Sequence, residues 1–367
     1  MIVVFAPDSF KGTIRAADAA SALADGWLRE RPDDEVVRLP MADGGEGTLA
    51  AFAAAVLGAE RIPIRVTGPD GAPVDSAWLR LPATADAPAG TAIIELGSMS
   101  GIELLSELYP LEAHTFGLGQ AIAAALTAGV SRVIVGLGSS ASTDGGTGML
   151  RALGARFLDA ADAEVPLGGV GLPAITAVDL TDLVPLPPGG VAALTDVTNP
   201  LLGARGSAAV FGPQKGADAV QISQLNAGLA HLAGLLTADP SAPGAGAAGG
   251  TGFGLLAWGA TLRPGASTVG ELIGLPTAAA RAAVVVTGEG SYDGQSAAGK
   301  VPAYVASLAG GRARVALVAG RITPDADVSA FASSVSLTDL AGSAERAMSD
   351  AASWLRAAGE RLARDIT

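Results

Sequence analysis

The stretch from Val133 to Leu150 most constrains what this chain can fold into. Val133 to Val135 is a β-branched apolar run that breaks into a loop of glycines, small hydroxyl residues and one carboxylate, and Met149-Leu150 then open a helix. Strand, loop and helix in that order make a βα unit. Gly136 and Gly138 permit positive φ and close backbone approach, so N–H groups are free to converge on an anion at the helix start. A single loop of this kind reads as a tight turn. This chain carries several.

Composition supports an α/β reading. The 367 residues are too many for one comfortable core and predict two domains. Hydrophobic residues at 49% supply those cores, and 50 glycines with 4% aromatics predict turns and helix contacts built from small residues. With 36 acids against 23 bases the net charge is −13, which offers nucleic acid or an anionic membrane little long-range attraction. The absence of cysteine excludes disulfides, thiolate metal sites and a Cys nucleophile. The N-terminus meets Asp8 after a short apolar run and reads as a first strand. The most apolar helical stretch, Ala121 to Val130, is far shorter than the roughly 20 residues of a membrane span. A cytoplasmic protein with no membrane and no nucleic-acid partner is expected.

Lysine usage is the sharpest compositional fact. Only Lys11, Lys215 and Lys300 are lysine, against 20 arginines, and each touches a glycine. A compact ammonium on a flexible stem reaches an oxyanion that a guanidinium fork would overfill. A phosphate-handling role follows for these positions, all three at one cleft.

In chain order, Ile2 to Phe5 predicts a strand, and Asp8 and Lys11 lie beyond its carboxyl end, where open α/β sheets place ligands. Thr13 is the expected cap of a helix with Ile14, Ala17, Leu23, Trp27 and Leu28 on its core stripe. Val36 to Leu39 is the next strand, and Asp43-Gly44-Gly45-Glu46-Gly47 echoes Asp144-Gly145-Gly146-Thr147-Gly148. Ile62 to Val66 and Ser76 to Leu81 flank Gly68-Pro69-Asp70-Gly71 as a hairpin. Ala92 to Leu96 and the helix Gly119 to Gly129 precede the opening stretch. Ala192 to Thr195 ends in Asp196, which is either a turn cap or a site carboxylate. By composition, residues 238–252 read as a linker.

In the last third, Ala282 to Val286 predicts a strand running into a glycine loop, Thr287 to Asp293. Gly294 to Lys300 fits the first seven positions of a P-loop, but Val301 stands where magnesium needs Ser or Thr. An ordinary P-loop NTPase is excluded, leaving Lys300 as a phosphate ligand and Glu289 or Asp293 as metal ligands. Val315 to Val318 is another buried strand and Ala344 to Leu362 a closing helix. His114 and His231 have no triad or metal spacing.

Seven blocks resemble the bacterial type I glycerate kinases: Ala6 to Gly12, Ala42 to Thr48, Gly138 to Gly148, Asp196 to Leu201, Phe211 to Gly216, Pro243 to Gly250 and Gly288 to Lys300. They run in family order through most of the chain. The resemblance implies phosphorylation of D-glycerate with ATP and Mg2+, to 2-phosphoglycerate in preference to 3-phosphoglycerate. It also implies an α/β fold in which a doubly wound parallel-sheet domain carries a second, inserted α/β domain, and it turns residues 243–250 from linker into site loop. Ser139-Ser140 departs from the family, where a more glycine-rich loop is expected.

Together, residues and resemblance define the candidate site. Asp196, Lys11 and Lys215 are the catalytic candidates, with Asp196 accepting the glycerate hydroxyl proton or orienting that hydroxyl. Asp8, Ser9, Gly138, Ser139, Ser140, Asp144, Gly145, Gly288, Glu289, Gly290 and Lys300 are the substrate- or phosphate-binding candidates. Asp293 and Asp8 are the metal candidates. Strand order assigns segments 1–64 and 280–367 to the first domain and 65–279 to the inserted one, with 133–150 a candidate to pack with the first. The alternatives are a kinase for another small hydroxy acid, a non-catalytic carboxylate binder, or a dinucleotide-dependent oxidoreductase. The last would use Gly136 to Ala141 as G-x-G-x-x-A, with Asp159 about 20 residues on.

Overall fold

The structure, a computed structural model, describes residues 1–294, 300–309 and 312–366. The chain divides into two compact units, one of Met1–Asp43, Ala50–Leu57 and Pro264–Thr367, the other of Gly44–Leu49 and Gly58–Arg263. Both are α/β, with parallel strands at their centres.

The first unit holds a five-stranded parallel sheet in the order Ser333–Ser336, Arg314–Ile322, Val284–Tyr292, Ile2–Pro7, Glu35–Arg38. Val3, Val4, Phe5, Val285 and Val286 are fully buried, as central parallel strands covered on both faces require. Helices Ala16–Glu30 and Ala351–Asp365 lie on the face that carries Phe5, Val286 and Val318. Helices Leu275–Arg281 and Val301–Leu308 also pack on this sheet. From Ile2–Pro7 the sheet grows to one side, and from Val284–Tyr292 to the other. The reversal falls between these two neighbours, the topological switch point of a doubly wound sheet.

Three local expectations are corrected here. The first helix begins at Ala16, not Thr13, because Phe10 and Ile14 exchange backbone hydrogen bonds of 2.9 and 3.1 Å across Lys11-Gly12-Thr13. The glycine loop expected after Val286 is instead strand as far as Tyr292, since Gly288, Glu289 and Ser291 pair with Val318, Ala319 and Arg321. The closing helix is broken at Asp350 (φ −143°, ψ 55°), whose carboxylate accepts the Ser353 N–H and restarts it.

The second unit holds a six-stranded sheet in the order Thr261–Arg263, Val191–Leu194, Arg132–Gly136, Thr91–Glu95, Pro73–Leu81, Glu60–Thr67. The first four are parallel, and the last two are the expected hairpin, with Ile64 opposite Ser76. Residues 133–150 belong to this sheet and the helix that follows it. The unit's core gathers Ile94, Val133, Val135, Leu118, Ile122, Met149 and Phe253. Residues 247–258 are no linker. Ala248, Gly249 and Gly250 take positive φ within a helix-like segment, and a Cβ on Gly249 would lie 1.8 Å from Ser142 O.

In the first unit, the crossing of Ala16–Glu30 and Ala351–Asp365 depends on two missing side chains. A Cβ on Gly359 would stand 2.2 Å from Leu23 O, and one on Gly26 2.0 Å from Arg356 O. Neither oxygen can rotate away. Gly359→Ala is therefore expected to lower unfolding stability by about 1–3 kcal/mol in denaturant titration, whereas Ala357→Ser, at a half-buried position of the same helix, changes it little.

Candidate functional site

At the switch point of the first unit, the strand ends bring charged groups to one cavity of about 490 Å³. The Asp8 N–H donates to Gly288 O at 2.8 Å, tying the end of Ile2–Pro7 to its neighbour. Gly288 and Gly320 serve this packing. A Cβ on Gly288 would lie 2.2 Å from Val318 O, and Gly290 O lies 2.4 Å from where a Gly320 Cβ would stand. The lining includes Asp8, Ser9, Lys11, Asp43, Glu289, Gly290, Asp293 and Lys300.

Burial raises the Asp8 carboxyl well above the ordinary carboxylate range, and the neighbouring Asp43 and Glu289 raise it further. The Ser9 N–H, 2.6 Å from Asp8 Oδ1, and the Lys11 ammonium oppose this. The Lys300 ammonium lies 3.8 Å from Glu289 Oε2. Among the described residues no group of three or more His, Asp or Glu is arranged to hold a metal by itself. Asp8, Asp43 and Glu289 bring carboxylate oxygens to the cavity, the hard donor type of which Mg2+ takes one or two, with water and phosphate oxygens completing its shell. Of the P-loop-like run, Gln295 to Gly299 lie outside the described residues.

The second unit holds the other glycine loops, and most of their polar groups serve the loops themselves. The buried Asp144 carboxylate accepts Thr115 N–H and Oγ1–H at 2.9 and 2.7 Å, Gly146 N–H at 3.0 Å and Gly148 N–H at 3.2 Å. The Gly138 N–H goes to Gly44 O at 3.3 Å and the Gly145 N–H to Gly249 O at 3.0 Å. Gly136 and Gly138 are small because Gly44 and Gly45 pass against them, with Cβ positions 2.5 and 2.3 Å from the Gly44 O and Gly45 Cα atoms. Neither takes positive φ; Ser139 does, at 60°, and it is exposed. The expected anion cradle of N–H groups is thus replaced at Gly138, Asp144 and Gly145 by internal bonds.

Lys215 is also buried, at 2% exposure, and does not line the cavity that Lys11 and Lys300 share. Its ammonium donates to Ser140 Oγ at 2.8 Å and Ser142 O at 2.5 Å. Burial lowers it to about 7, with Asp144 opposing. Asp196 stands exposed two residues beyond Val191–Leu194, at that strand's carboxyl end. The residues that follow it border a cavity of about 430 Å³ whose lining includes Asn199 and Arg205, a guanidinium suited to a carboxylate.

Two carboxylates escaped the sequence reading. Asp43 lines the first unit's cavity, and its signal was the Asp-Gly-Gly echo. Glu95, buried, accepts the Gly47 and Leu49 N–H groups at 3.2 and 3.1 Å and anchors the second glycine turn. The histidines are structural: His231 Nε2 lies 2.6 Å from Ile175 O, and buried His114 is lowered by desolvation. The dinucleotide fingerprint is not formed, because the helix starts only at Thr147 and Asp159 ties its own turn through the Ala161 and Ala163 N–H groups.

The sequence profile of the Glycerate kinase family matches residues 3–367. The chain belongs to the glycerate kinase family. It is 39% identical to a glycerate 2-kinase of Escherichia coli K12 over 89% of this chain and 87% of the relative. It is 40% identical to a glycerate kinase of Haemophilus influenzae over 89% and 88%. A solved structure from Salmonella typhimurium LT2, assigned as a glycerate kinase 2, superposes with a TM-score of 0.84 at 34% identity, covering 99% of this chain and 97% of that one. Membership makes the chain a kinase, a phosphotransferase with an alcohol acceptor and a nucleotide substrate. Among the described residues, no helix is long and apolar enough to cross a membrane.

Lys215 gives this glycerate kinase family member a pH signature. Its ammonium titrates near 7 when folded and near the ordinary lysine value of about 10.4 when unfolded, so between these the unfolded chain holds the extra proton. Its contribution is fully present above the unfolded value and is lost as pH falls towards 7. The stability of the native protein relative to Lys215→Met should therefore rise with pH across that window, by up to about 1.4 kcal/mol per unit. A difference independent of pH would contradict the burial of this ammonium.

Proposed function

We propose that this chain transfers the γ-phosphoryl group of ATP to D-glycerate in the presence of Mg2+, forming 2-phosphoglycerate. The observation that carries the reading is the switch-point cavity, which combines two ammonium groups with four carboxylates. Phosphoryl transfer uses this combination: cations to neutralise the phosphates and oxygen ligands for a divalent ion. The name of the Escherichia coli relative, a glycerate 2-kinase, supports the position of transfer. ATP as the donor fits a cytoplasmic enzyme.

Lys11 and Lys300 bind the polyphosphate. Asp8, with Asp43, Glu289 and Asp293, offers the oxygens that would hold Mg2+, which when bound neutralises phosphate charge. Asp196 accepts the proton of the glycerate hydroxyl or orients that hydroxyl, and Arg205 pairs with the glycerate carboxylate. In the transfer, the hydroxyl oxygen forms the new bond to the γ-phosphorus while the bond to the β-bridging oxygen breaks. ADP leaves and the proton passes through Asp196 to solvent. Lys215 holds the Ser140–Ser142 loop through the two hydrogen bonds it donates there.

Phosphorus and proton NMR of the product made from D-glycerate should show a phosphate coupled to the single C2 proton. Coupling to the C3 methylene would reassign the enzyme to the 3-position. Asp196→Asn keeps shape and hydrogen-bonding capacity but removes the charge. Turnover should fall about 10²- to 10⁴-fold while ATP affinity is retained. Turnover within a few-fold of wild type at saturating glycerate would remove Asp196 from the mechanism and make Asp8 the carboxylate to test.

A further inference from the structure

The first unit's cavity has two chemically different ends. One is the strand-end group of carboxylates and ammonium groups. The other is apolar, lined by Leu337, Ala344, Ala347, Met348 and Ala351 from the segments that follow Ser333–Ser336. Resting on the assignment of Lys11 and Lys300 to the polyphosphate, we propose that this apolar end is the subsite for the adenine base of the nucleotide.

Three observations converge on a base. Continuity comes first: both ends line one cavity, so a ligand whose phosphates lie at Lys11 and Lys300 extends its remaining part along the apolar wall. Size comes second. About 490 Å³ lies in the range of roughly 300–1,000 Å³ typical of ligand pockets and far exceeds what a three-carbon acid fills. Glycerate, bearing a carboxylate and two hydroxyls, also has no apolar face to bury against three alanines, a leucine and a methionine.

The wall itself is third. Ala347, Ala351 and Leu337 are themselves buried and form its floor, while Ala344 is exposed and Met348 stands 61% exposed, one of the large apolar side chains this chain leaves to solvent. A flexible thioether packs well against the face or edge of an aromatic ring. Thr338, also in the lining, donates its hydroxyl hydrogen to Gly320 O at 2.8 Å, which leaves its oxygen to serve as an acceptor. An acceptor matches the exocyclic amine of adenine and opposes the carbonyl that guanine carries at the same place.

The test is calorimetric titration of the full chain with ADP and, separately, with inorganic tripolyphosphate, both with Mg2+. The variants are Met348→Asp and Ala344→Glu, both at exposed positions where the fold has little at stake. Each should weaken ADP about tenfold or more and leave tripolyphosphate and the KM for glycerate within about twofold. Thr338→Val should narrow the preference for ADP over GDP. ADP affinity unchanged in both wall variants would overturn the base subsite. Tripolyphosphate that fails to bind wild type, or binds Lys11→Met and Lys300→Met equally well, would instead overturn the phosphate assignment on which the proposal rests.

Discussion

The first unit's site depends on one geometrical constraint, the reversal of strand order between Ile2–Pro7 and Val284–Tyr292. Two adjacent parallel strands whose onward connections grow the sheet in opposite directions leave a crevice at their carboxyl ends. Side chains leaving either strand end there have no core to enter. Asp8 follows the end of Ile2–Pro7, and Glu289 lies just past the last pairing of the two strands, Pro7 with Gly288. Burial, and then the proximity of Asp43 and Glu289, is a cost to the fold, expressed in the raised Asp8 carboxyl. Such a cost is retained where a cation and an anionic ligand relieve it.

In the second unit the glycines act differently. Gly136, Gly138, Gly44 and Gly45 let two backbone turns touch, and the buried carboxylates of Glu95 and Asp144 then accept the N–H groups that this close approach leaves over. A carboxylate bonded to several N–H groups fixes a loop more firmly than a hydroxyl does, because charge assistance strengthens each bond. Lys215 adds a third fastening at Ser140 and Ser142. These loops are held in shape by bonds within the chain itself.

Much of this was legible in the residues. The β-branched runs Val133 to Val135 and Val284 to Val286 announce parallel strands, and Gly68 to Gly71 announces a hairpin, since both signals are local. The misreadings share a cause, which is that tertiary pairing overrides local propensity. Gly288-Glu289-Gly290 has turn composition yet stays in the strand, because the pairing of Arg314–Ile322 extends beyond it. Gly138 has the composition of an anion loop, but its N–H finds a backbone oxygen 94 residues earlier in the chain, at Gly44. The rarity of lysine marked three important positions without telling them apart: Lys11 and Lys300 line a cavity, while Lys215 is a buried strut. Asp43 was hidden in a motif that reads as a turn.

The central claim is that the switch-point carboxylates hold the metal of the nucleotide complex. Electron paramagnetic resonance of Mn2+ with ADP measures this directly, comparing wild type with Asp8→Asn and Glu289→Gln. The account predicts a protein-bound Mn2+–ADP signal in wild type that weakens by about tenfold or more in affinity in both variants. Variants that bind Mn2+–ADP as tightly as wild type would place the metal elsewhere and contradict it.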